Sequence, residues 1–470
     1  MSSITVMNRM KTKNNLKESN WRKTPFACLW LVMPFLWLSA AVGWTADSHP
    51  PTKVFNVREF GATGDGKNFD TIAVQKAFDA CGEAGGGTVM FPAGTYLSKP
   101  LTLRTKTTVQ LEAGVTLLAS TNQGDFMKVP GDWLKAGSGS DFIPFISGKN
   151  LVDVTFTGRG TIDGNGEVWW GEAEKARRTK SGYTLPRPNL IVLQHCQNVR
   201  MENITLQNSP KFHFVPTESE NVIVSNVTIL APEHAANTDA IDPSSCKNVL
   251  ITHCRIDVGD DNVAIKAGKK VMGREFASED ITITDCTMLH GHGISIGSET
   301  AGGVRNVTVR NCTFENTDNG LRIKSQRSKG GLVENINYSD ITMTNVNPAI
   351  TLTCYYMNNS AGDTVQPSAP KEDIAQLLNE NTPVFRNIHI SNLTATCQKS
   401  AGVINGLPES PISNVVLENV RISSPIGLSI KNAKGVQLIN VQVTTKVGPP
   451  FILENAQVKG LDDTKATPPQ

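Results

Sequence analysis

A nine-residue pattern recurs through most of this 470-residue chain. It reads Asn, apolar, any, apolar, any, Asn or Asp, apolar, any, apolar. It begins at Asn150, Asn198, Asn221, Asn248, Asp280, Asn306, Asn335, Asn387, Asn414 and, with the Asn lost, Gly435. From Asn198 onward the intervals are 23, 27, 32, 26, 29, 52, 27 and 21 residues. A period of about 20 to 50 residues indicates supersecondary units that stack on one another. The 52-residue interval equals two periods of 26, which predicts two coils, one of them degenerate.

Within each repeat, apolar residues alternate with other residues at a period of two, and β-branched residues are frequent, as in 222–229 and 281–288. This alternation is typical of strands rather than helices. The intervals are too long for hairpins, whereas parallel strands require longer connections. We therefore predict a right-handed parallel β-helix of about ten coils. Because such a fold grows by adding coils, residues 44–461 can form a single domain.

A second Asn or Asp recurs five residues after the start of most repeats. It is found at Asn203, Asn226, Asp285, Asn311, Asp340, Asn392, Asn419 and Asn440, and His253 is the exception. Side-chain amides at equivalent bends of stacked coils can hydrogen-bond from one coil to the next. We predict that these residues are structural.

The two ends of the repeat region have their own patterns. Residues 70–81 have apolar residues at helical spacing, start with Asp70 and are followed by Gly82, which predicts a capping helix within an N-terminal cap of about 54–100. A cap is needed because an open coil exposes strand edges and an apolar core. The polar, Pro-containing residues 462–470 predict a loose tail.

Residues 1–43 have the pattern of a signal peptide. Six basic residues precede the apolar run Phe26 to Leu38, and small residues follow it up to Gly43. The run is short for a membrane span, and Ala41-Val42-Gly43 fits a small-x-small cleavage site. We therefore expect an exported protein, secreted or periplasmic, with an uncleaved anchor as the alternative.

The charge balance narrows the range of partners. Removing residues 1–43 takes away six basic residues and one acidic residue and changes the net charge from +2 to −3. No general polyanion-binding surface is then expected, which argues against nucleic acid as a partner. We expect no membrane partner after signal removal and a monomer in solution. An anionic ligand must be held by a local cluster of cations.

Eight cysteines remain after the signal segment, and three of them occupy one repeat position on successive coils, at Cys254, Cys286 and Cys312. Aliphatic residues fill the same position elsewhere, so we predict buried free thiols that act as small apolar groups. A disulfide between neighbouring coils is sterically allowed. The cysteine spacing is unlike that of a zinc site.

Four polar motifs fall one per repeat on four consecutive repeats. They are Asn237-Thr238-Asp239, Asp260-Asp261, Gly291-His292-Gly293 and Arg322-Ile323-Lys324. Stacked parallel strands lie about 4.8 Å apart. Residues spread over 88 positions of sequence are therefore predicted to meet in one site.

Three carboxylates beside a histidine and two cations suit the hydrolysis of an acidic sugar chain. One carboxyl group must stay protonated to donate to the leaving oxygen, and like-charged neighbours would raise its pKa. Arg322 and Lys324 are two residues apart, so on a strand they face the same side and can hold a carboxylate of the substrate. This proton chemistry requires no metal or organic cofactor.

The four motifs, in this order and on this repeat, resemble the polygalacturonases of glycoside hydrolase family 28, of the bacterial type. The resemblance extends from about Phe55 to the last coils and includes Phe60-Gly61-Ala62, Thr161-Ile162-Asp163-Gly164 and Asn208-Ser209-Pro210. It implies an inverting hydrolase of α-1,4-linked galacturonate in polygalacturonate, pectin or their oligomers.

The resemblance also implies individual roles. Asp260 would be the general acid, Asp239 and Asp261 would activate the attacking water, and His292 would tune the protonation of the acid. The substrate-binding residues would be Asn237, Arg322, Lys324 and Tyr356. Two details depart from the family pattern, because Cys354 stands near Tyr356 where a Gln is more usual and Ala240 replaces the usual Gly after Asp239.

The mode of cleavage is a finer expectation. The segment Gly297-Ser298-Glu299-Thr300 is more similar to the exo-acting branch of the family. Trp133, Trp169, Trp170 and Tyr183 lie in two long insertions, where they could either stack on sugar rings or pack the loops. Loops that close one end of the site would impose exo action.

Two other functions are compatible with a β-helix. A pectate lyase would use calcium-binding carboxylates and a basic Arg for β-elimination, which fits the motif set less well. A non-catalytic polysaccharide-binding protein would need polar residues only for binding, but three clustered carboxylates facing an anionic ligand oppose that function.

Overall fold

The computed structural model describes residues 53–132, 134, 141–179, 185–268, 276–356 and 373–461. All of them belong to one structural unit. The predicted signal peptide 1–43, the predicted tail 462–470, Trp133 and Tyr183 lie outside the described residues. No helix within the described ranges combines the length and the apolarity that a membrane crossing requires.

The chain folds into a right-handed parallel β-helix, as the repeat predicted. Its strands in chain order are β1 Val54–Asn56, β2 Asp65–Phe69, β3 Gly87–Phe91, β4 Gly94–Ser98, β5 Leu101–Thr102, β6 Thr107–Leu111, β7 Val115–Ala119, β8 Ile146–Lys149, β9 Val152–Gly158, β10 Thr161–Asp163, β11 Ile191–Gln194, β12 Gln197–Glu202, β13 Thr205–Gln207, β14 Phe214–Thr217, β15 Glu220–Ser225, β16 Thr228–Leu230, β17 Lys247–Thr252, β18 Arg255–Asp257, β19 Val263–Ile265, β20 Ser278–Thr284, β21 Thr287–Met288, β22 Ile294–Gly297, β23 Val304–Glu315, β24 Leu321–Lys324, β25 Gly331–Val346, β26 Ile350–Thr353, β27 Pro383–Cys397, β28 Ser400–Asn405, β29 Ile412–Ser424, β30 Ile426–Thr445 and β31 Phe451–Lys459. The helices are α1 Thr71–Glu83 and α2 Glu167–Thr179, with short 3-10 helices at Val57–Phe60 and Gln123–Phe126.

Every named strand pairing is parallel, and the strands stack in three ladders. The first runs from β1 through β3, β6, β9, β12 and β15 to β31, and the second from β2 through β4, β7, β10 and β13 to β21 and β23. The third contains β5, β8, β11 and β14 and continues through single bridges at Ile241 into β19, β22, β24, β26, β28 and β30. The third ladder carries the cationic motif, because β24 pairs with β22 in the register Ser295 to Arg322 and Gly297 to Lys324.

The core consists of columns of inward-facing residues. Val222, Val249 and Ile281 are register partners on successive coils and are all buried. Cys254, Cys286 and Cys312 form a parallel column of buried free thiols, as predicted, and the backbone N–H of Cys254 donates to Cys286 Sγ at 3.4 Å. The alternation of burial along each strand is the physical basis of the sequence pattern.

The recurring Asn and Asp residues have a structural role, as predicted. At the second Asn position, Asn226 Nδ2 donates to Asn203 Oδ1 at 2.8 Å. At the position that starts each repeat, Asn248 Nδ2 donates to Asn221 Oδ1 at 2.7 Å and Asn221 Nδ2 donates to Asn198 Oδ1 at 2.9 Å, so a ladder of amides runs along the coils at each position. Each of these residues also has a positive φ, which is 56° at Asn221. Asn and Asp tolerate this left-handed conformation better than other side chains, and Gly435 adopts it where the Asn is lost.

The 52-residue interval is one coil, so the prediction of two coils is wrong. β25 pairs directly with β27, and Asn387 Nδ2 donates to Asn335 Oδ1 at 3.2 Å. The extra residues instead form an insertion between β26 and β27. Arg327 holds the end of this insertion to the following coil, because its guanidinium pairs with both Asp373 and Glu409.

The predicted capping helix is α1. Val74 and Phe78 are fully buried, and the ring of Phe78 lies 6.3 Å from that of Phe91 in the first coils. Asp70 precedes the helix, but its side chain makes no hydrogen bond to the helix N-terminus. Its carboxylate instead accepts the backbone N–H groups of Thr63 and Gly64 and fixes the turn that leads into the cap.

Two of the insertion aromatics pack the fold rather than facing a ligand. Trp169 is fully buried and makes edge contacts with Phe126 and Phe142. Trp170 is almost fully buried and donates its indole N–H to the carbonyl of Ser209 at 3.1 Å. These contacts favour the packing alternative for both residues.

The amide ladder gives a test of what its residues contribute. Replacement of Asn221 by Ala is expected to lower the free energy of unfolding more than replacement by Gly, by about 1 kcal/mol, because Ala must adopt the left-handed conformation against its Cβ. Both variants lose the same two amide hydrogen bonds, so Asn221→Gly is the matched control. Urea unfolding followed by circular dichroism measures the difference. Equal midpoints would mean that backbone strain does not select Asn here.

Candidate active site

The four polar motifs meet on consecutive coils, as their spacing predicted. Asn237 and Asp239 follow β16, Asp260 and Asp261 connect β18 to β19, His292 connects β21 to β22, and Arg322 and Lys324 lie on β24. The closest contacts centre on the two adjacent aspartates, whose side chains have different partners.

Asp261 is the anchor of the two cations. Its Oδ2 accepts from Lys324 Nζ at 2.8 Å, and its Oδ1 accepts from Arg322 Nη2 and, at 2.8 Å, from Ser295 Oγ. All three charged side chains are buried. Arg322 and Lys324 face the same side, as expected from strand geometry. Two cations share one carboxylate, so one net positive charge remains available to a ligand.

Asp260 faces a histidine instead. His292 Nδ1 lies 3.2 Å from Asp260 Oδ1, and His292 Nε2 lies 3.4 Å from Asp318 Oδ2. On the other side of the carboxylate, the backbone N and the Nδ2 of Asn237 donate to Asp260 Oδ2 at 3.2 and 3.3 Å. Asp260 is therefore held between two neighbouring coils.

The glycines around His292 allow this close approach. Gly291 has φ 120° and Gly293 has φ 72°, both in the region that disfavours side chains. A Cβ on Gly291 would lie 2.6 Å from the carbonyl oxygen of Asp260, and one on Gly293 would lie 2.2 Å from that of Asn319. Only glycine fits at either position.

Asp239 lies in a different charge environment from the Asp260–Asp261 pair. Lys266 Nζ is 3.4 Å from Asp239 Oδ2 and pairs more closely with Asp242. Within the described residues, Asp239 Oδ1 is buried and has no hydrogen-bond partner. Ala240 is buried and donates its N–H to the carbonyl of Asp261, with no positive φ, so Ala is compatible with the local backbone.

The aspartates differ in pKa. Burial, followed by the charges of Asp242 and Asp260, raises the pKa of Asp239 well above its ordinary value. Burial also disfavours the ionised form of Asp260, but the charges of His292, Lys324 and Arg322 outweigh it and hold the pKa of Asp260 low. The raised pKa expected of one carboxyl group is thus found at Asp239, whereas Asp260, the general acid that the resemblance implies, has a lowered pKa because of the nearby cations.

The same ion pair shifts the pKa of His292. Burial opposes its charged form, but Asp260 and then Asp318 raise the pKa of His292 to about 9. The imidazole is thus protonated at neutral pH and cannot offer a lone pair to a metal. Asp260, Asp261 and His292 have ligand atoms within 4.8 Å of one another, but a metal there would have to displace the cations on Asp261 and the proton on His292.

Tyr356 also reaches the site. Lys324 Nζ lies 5.1 Å from the centroid of the Tyr356 ring, and the backbone N–H of Tyr356 donates to the carbonyl of Ser325 at 3.0 Å. A cation over an aromatic face is a favourable contact. All eight residues predicted for the site therefore lie together, and their chemical roles stay predictions.

Several residues that lie outside the four sequence motifs contact the predicted site residues. They are Asp242, Lys266, Ser295 and Asp318. A signal for Lys266 was present, because Val263-Ala264-Ile265-Lys266 aligns with Leu321-Arg322-Ile323-Lys324 and the two strands share the register of β22. Asp318 has no such signal, since it reaches His292 from a turn after β23.

The fold and the site define a β-helical protein with several carboxylates arranged for proton transfer. A family model described as glycosyl hydrolases family 28 matches residues 81–445. An endo-polygalacturonase from Pectobacterium carotovorum subsp. carotovorum is 35% identical over 376 residues, which cover 77% of this chain and 86% of that protein. The chain therefore belongs to glycosyl hydrolase family 28.

Solved structures have the same fold. The polygalacturonase from Erwinia carotovora ssp. carotovora matches with a TM-score of 0.69 and 32% identity, over 85% of this chain and 99% of that one. A hyperthermoactive exopolygalacturonase from Thermotoga maritima matches with a TM-score of 0.64 and 26% identity, over 86% of this chain and 92% of that one. Enzymes named for both modes of cleavage are thus among the similar proteins.

The coupling between Asp260 and His292 can be measured directly. Replacing Asp260 by Asn removes the charge and the hydrogen bond that most raise the pKa of His292, so this pKa should fall from about 9 towards its ordinary 6.5. Asp318→Asn should lower it less, because Asp318 contributes a weaker interaction. NMR titration of the imidazole measures both shifts. An unchanged pKa of His292 in Asp260→Asn would contradict this electrostatic account.

Proposed function

We propose that this protein hydrolyses the α-1,4-galacturonosyl linkages of polygalacturonate or pectin by an inverting acid–base mechanism. The observation that carries the proposal is the division of three clustered carboxylates among different cations. Asp261 holds Arg322 and Lys324, Asp260 pairs with His292, and Asp239 pairs with Lys266. The site thus contains both the proton-transferring groups and the net positive charge that an acidic sugar requires.

In this mechanism Asp260 is the general acid. Its carboxyl group donates a proton to the glycosidic oxygen as the bond to the anomeric carbon breaks. The low pKa of Asp260 in the free protein must rise on binding. A galacturonate carboxylate beside Arg322 and Lys324 supplies a negative charge, and the sugar excludes water, and both effects favour the protonated acid.

Asp239 and Asp261 orient and deprotonate the attacking water. Asp239 suits this role because Oδ1 is buried and has no partner among the described residues. The adjacent Lys266 favours the ionised form of Asp239 and so opposes burial and the charges of Asp242 and Asp260, which raise its pKa. Inversion requires room for water between acid and base, with carboxyl groups roughly 6.5 to 9.5 Å apart.

The binding residues position the sugar next to the scissile bond. Lys324 and Arg322 bind its carboxylate, and the Tyr356 ring beside Lys324 packs against the sugar. Asn237 lines the same subsite and keeps Asp260 oriented through its two donated hydrogen bonds. His292 positions the acid and tunes its proton affinity.

We also propose that the protein is exported, monomeric and exo-acting. The basic and apolar segment 1–43 supports export to the periplasm or the medium, where a polysaccharide substrate is accessible. We propose that the mature protein is a monomer with one catalytic β-helix, residues 44–461. Exo action is the finer proposal, supported by the segment 297–300.

A charge-removing substitution at the proposed acid tests the mechanism. Asp260→Asn is expected to lower kcat on polygalacturonate by roughly 10²- to 10⁴-fold, the usual contribution of general acid catalysis. Reducing-end release measures it. Asp280→Asn is the matched control, because Asp280 stands in the amide ladder at a position that other coils fill with Asn. Near-normal activity of Asp260→Asn would refute the assignment.

The products test the mode of cleavage and the stereochemistry. Exo action predicts that only monomer, or only dimer, is released from polygalacturonate at early times, whereas a ladder of oligomers would mean endo action. Inversion predicts that the first product carries the β configuration, which proton NMR can follow before mutarotation. Unsaturated products that absorb in the near ultraviolet would instead indicate β-elimination.

A further inference from the structure

A second group of cations lies around Asp239 and Asn237. It contains Lys211, Lys266 and Arg187. Lys211 lies between β13 and β14, one coil before Asp239. Arg322 and Lys324 lie two coils after Asp260, and Lys211 lies two coils before it. The two cationic groups thus flank the proposed acid along the stack.

The loop that carries Lys211 is held firmly in place. Trp170 donates to the carbonyl of Ser209 at 3.1 Å, and Arg187 Nε donates to that of Pro210 at 2.8 Å. The backbone N–H of His213 donates to the carbonyl of Asp239 at 2.8 Å. Lys211 is therefore presented at a fixed position relative to Asp239.

Among the described residues, no carboxylate forms an ion pair with the ammonium group of Lys211. Lys266 Nζ and Lys211 Nζ lie 4.1 and 4.5 Å from the centroid of the Phe212 ring, but only Lys266 pairs with carboxylates. Within the described residues no carboxylate oxygen lies within 4 Å of Lys211 Nζ. Burial, then repulsion from Arg187 and Lys266, lowers the pKa of Lys211 to about 8.

These contacts leave an uncompensated positive charge at the site. A desolvated ammonium near other cations is unfavourable unless an anion completes it. Asp239 and Asp242 attract Lys211 only from a distance and pair with Lys266, so no carboxylate among the described residues bonds directly to the Lys211 ammonium. The ligand that would complete the site is therefore a carboxylate, which accepts a charge-assisted hydrogen bond from an ammonium group.

We propose that Lys211 binds the carboxylate of a galacturonate on the opposite side of Asp260 from Arg322 and Lys324. This inference rests on the proposed function. Every sugar of polygalacturonate carries a carboxylate, so a chain lying along the coils presents one to Arg322 and Lys324 and another to Lys211. Lys211 thereby makes the site require an unesterified sugar at this position.

The proposal is tested with Lys211→Met, which keeps most of the stem and removes the charge. On unesterified polygalacturonate, KM is expected to rise about tenfold with a smaller change in kcat, as for loss of a charge-assisted contact made in both ground and transition states. On highly methyl-esterified pectin the same substitution should change KM less than twofold, because the ester carries no charge. Lys211→Arg should restore most of the affinity.

Controls separate this inference from the function on which it rests. Lys247→Met removes a partly exposed lysine that pairs with Glu279 on the first ladder, and it should leave KM unchanged on both substrates. Calorimetric binding of trigalacturonate to Asp260→Asn, with and without Lys211→Met, repeats the comparison without turnover. Thermal melting checks that each variant is folded.

An unchanged KM in Lys211→Met, or an equal rise on esterified and unesterified substrates, would overturn the role of Lys211. In either case hydrolysis by the unaltered enzyme would leave the proposed function intact. Absence of hydrolysis by the unaltered enzyme would overturn the proposed function itself. If the protein then still bound trigalacturonate and Lys211→Met weakened that binding, Lys211 would be a carboxylate-binding residue of a protein that does not hydrolyse the sugar.

Discussion

The parallel pairing of successive coils is the constraint on which the site depends. Strand spacing of about 4.8 Å sets the distance between loops that are 20 to 30 residues apart in sequence. Each coil contributes one short loop to the same side of the ladder that contains β19, β22 and β24. Because the amide ladders keep the bends in register, the side chains of Asp260, His292 and Arg322 reach one another without any long connecting loop.

Charge is distributed within the site rather than simply accumulated. Arg322 and Lys324 both donate to the Asp261 carboxylate, which keeps it ionised and fixes its position. Asp260 pairs directly with His292 and is also near Lys324 and Arg322, whereas Asp239 pairs with Lys266. The pKa values of Asp260 and Asp239 move in opposite directions. The two carboxyl groups thus differ in proton affinity, and a uronate carboxylate bound beside the cations would raise the pKa of Asp260.

Agreement between sequence and structure is closest where one residue type is required by backbone geometry or by burial. The Asn repeats mark left-handed bends, the alternating aliphatic residues mark the core, and Gly291 and Gly293 mark the close approach of His292 to Asp260. The error in the 52-residue interval has a different origin. An insertion after Tyr356 matches one period in length, and length alone does not distinguish a coil from a loop.

The sequence by itself determined the coil, its period and the order in which the polar motifs are stacked, because alternation and left-handed bends are local properties of the chain. Only the tertiary structure decided which carboxylate meets which cation. The pairs Lys266–Asp242 and Asp318–His292 both depend on side-chain reach across coils. Those distances and the burial that sets the pKa values exist only after stacking, so no local pattern encodes them.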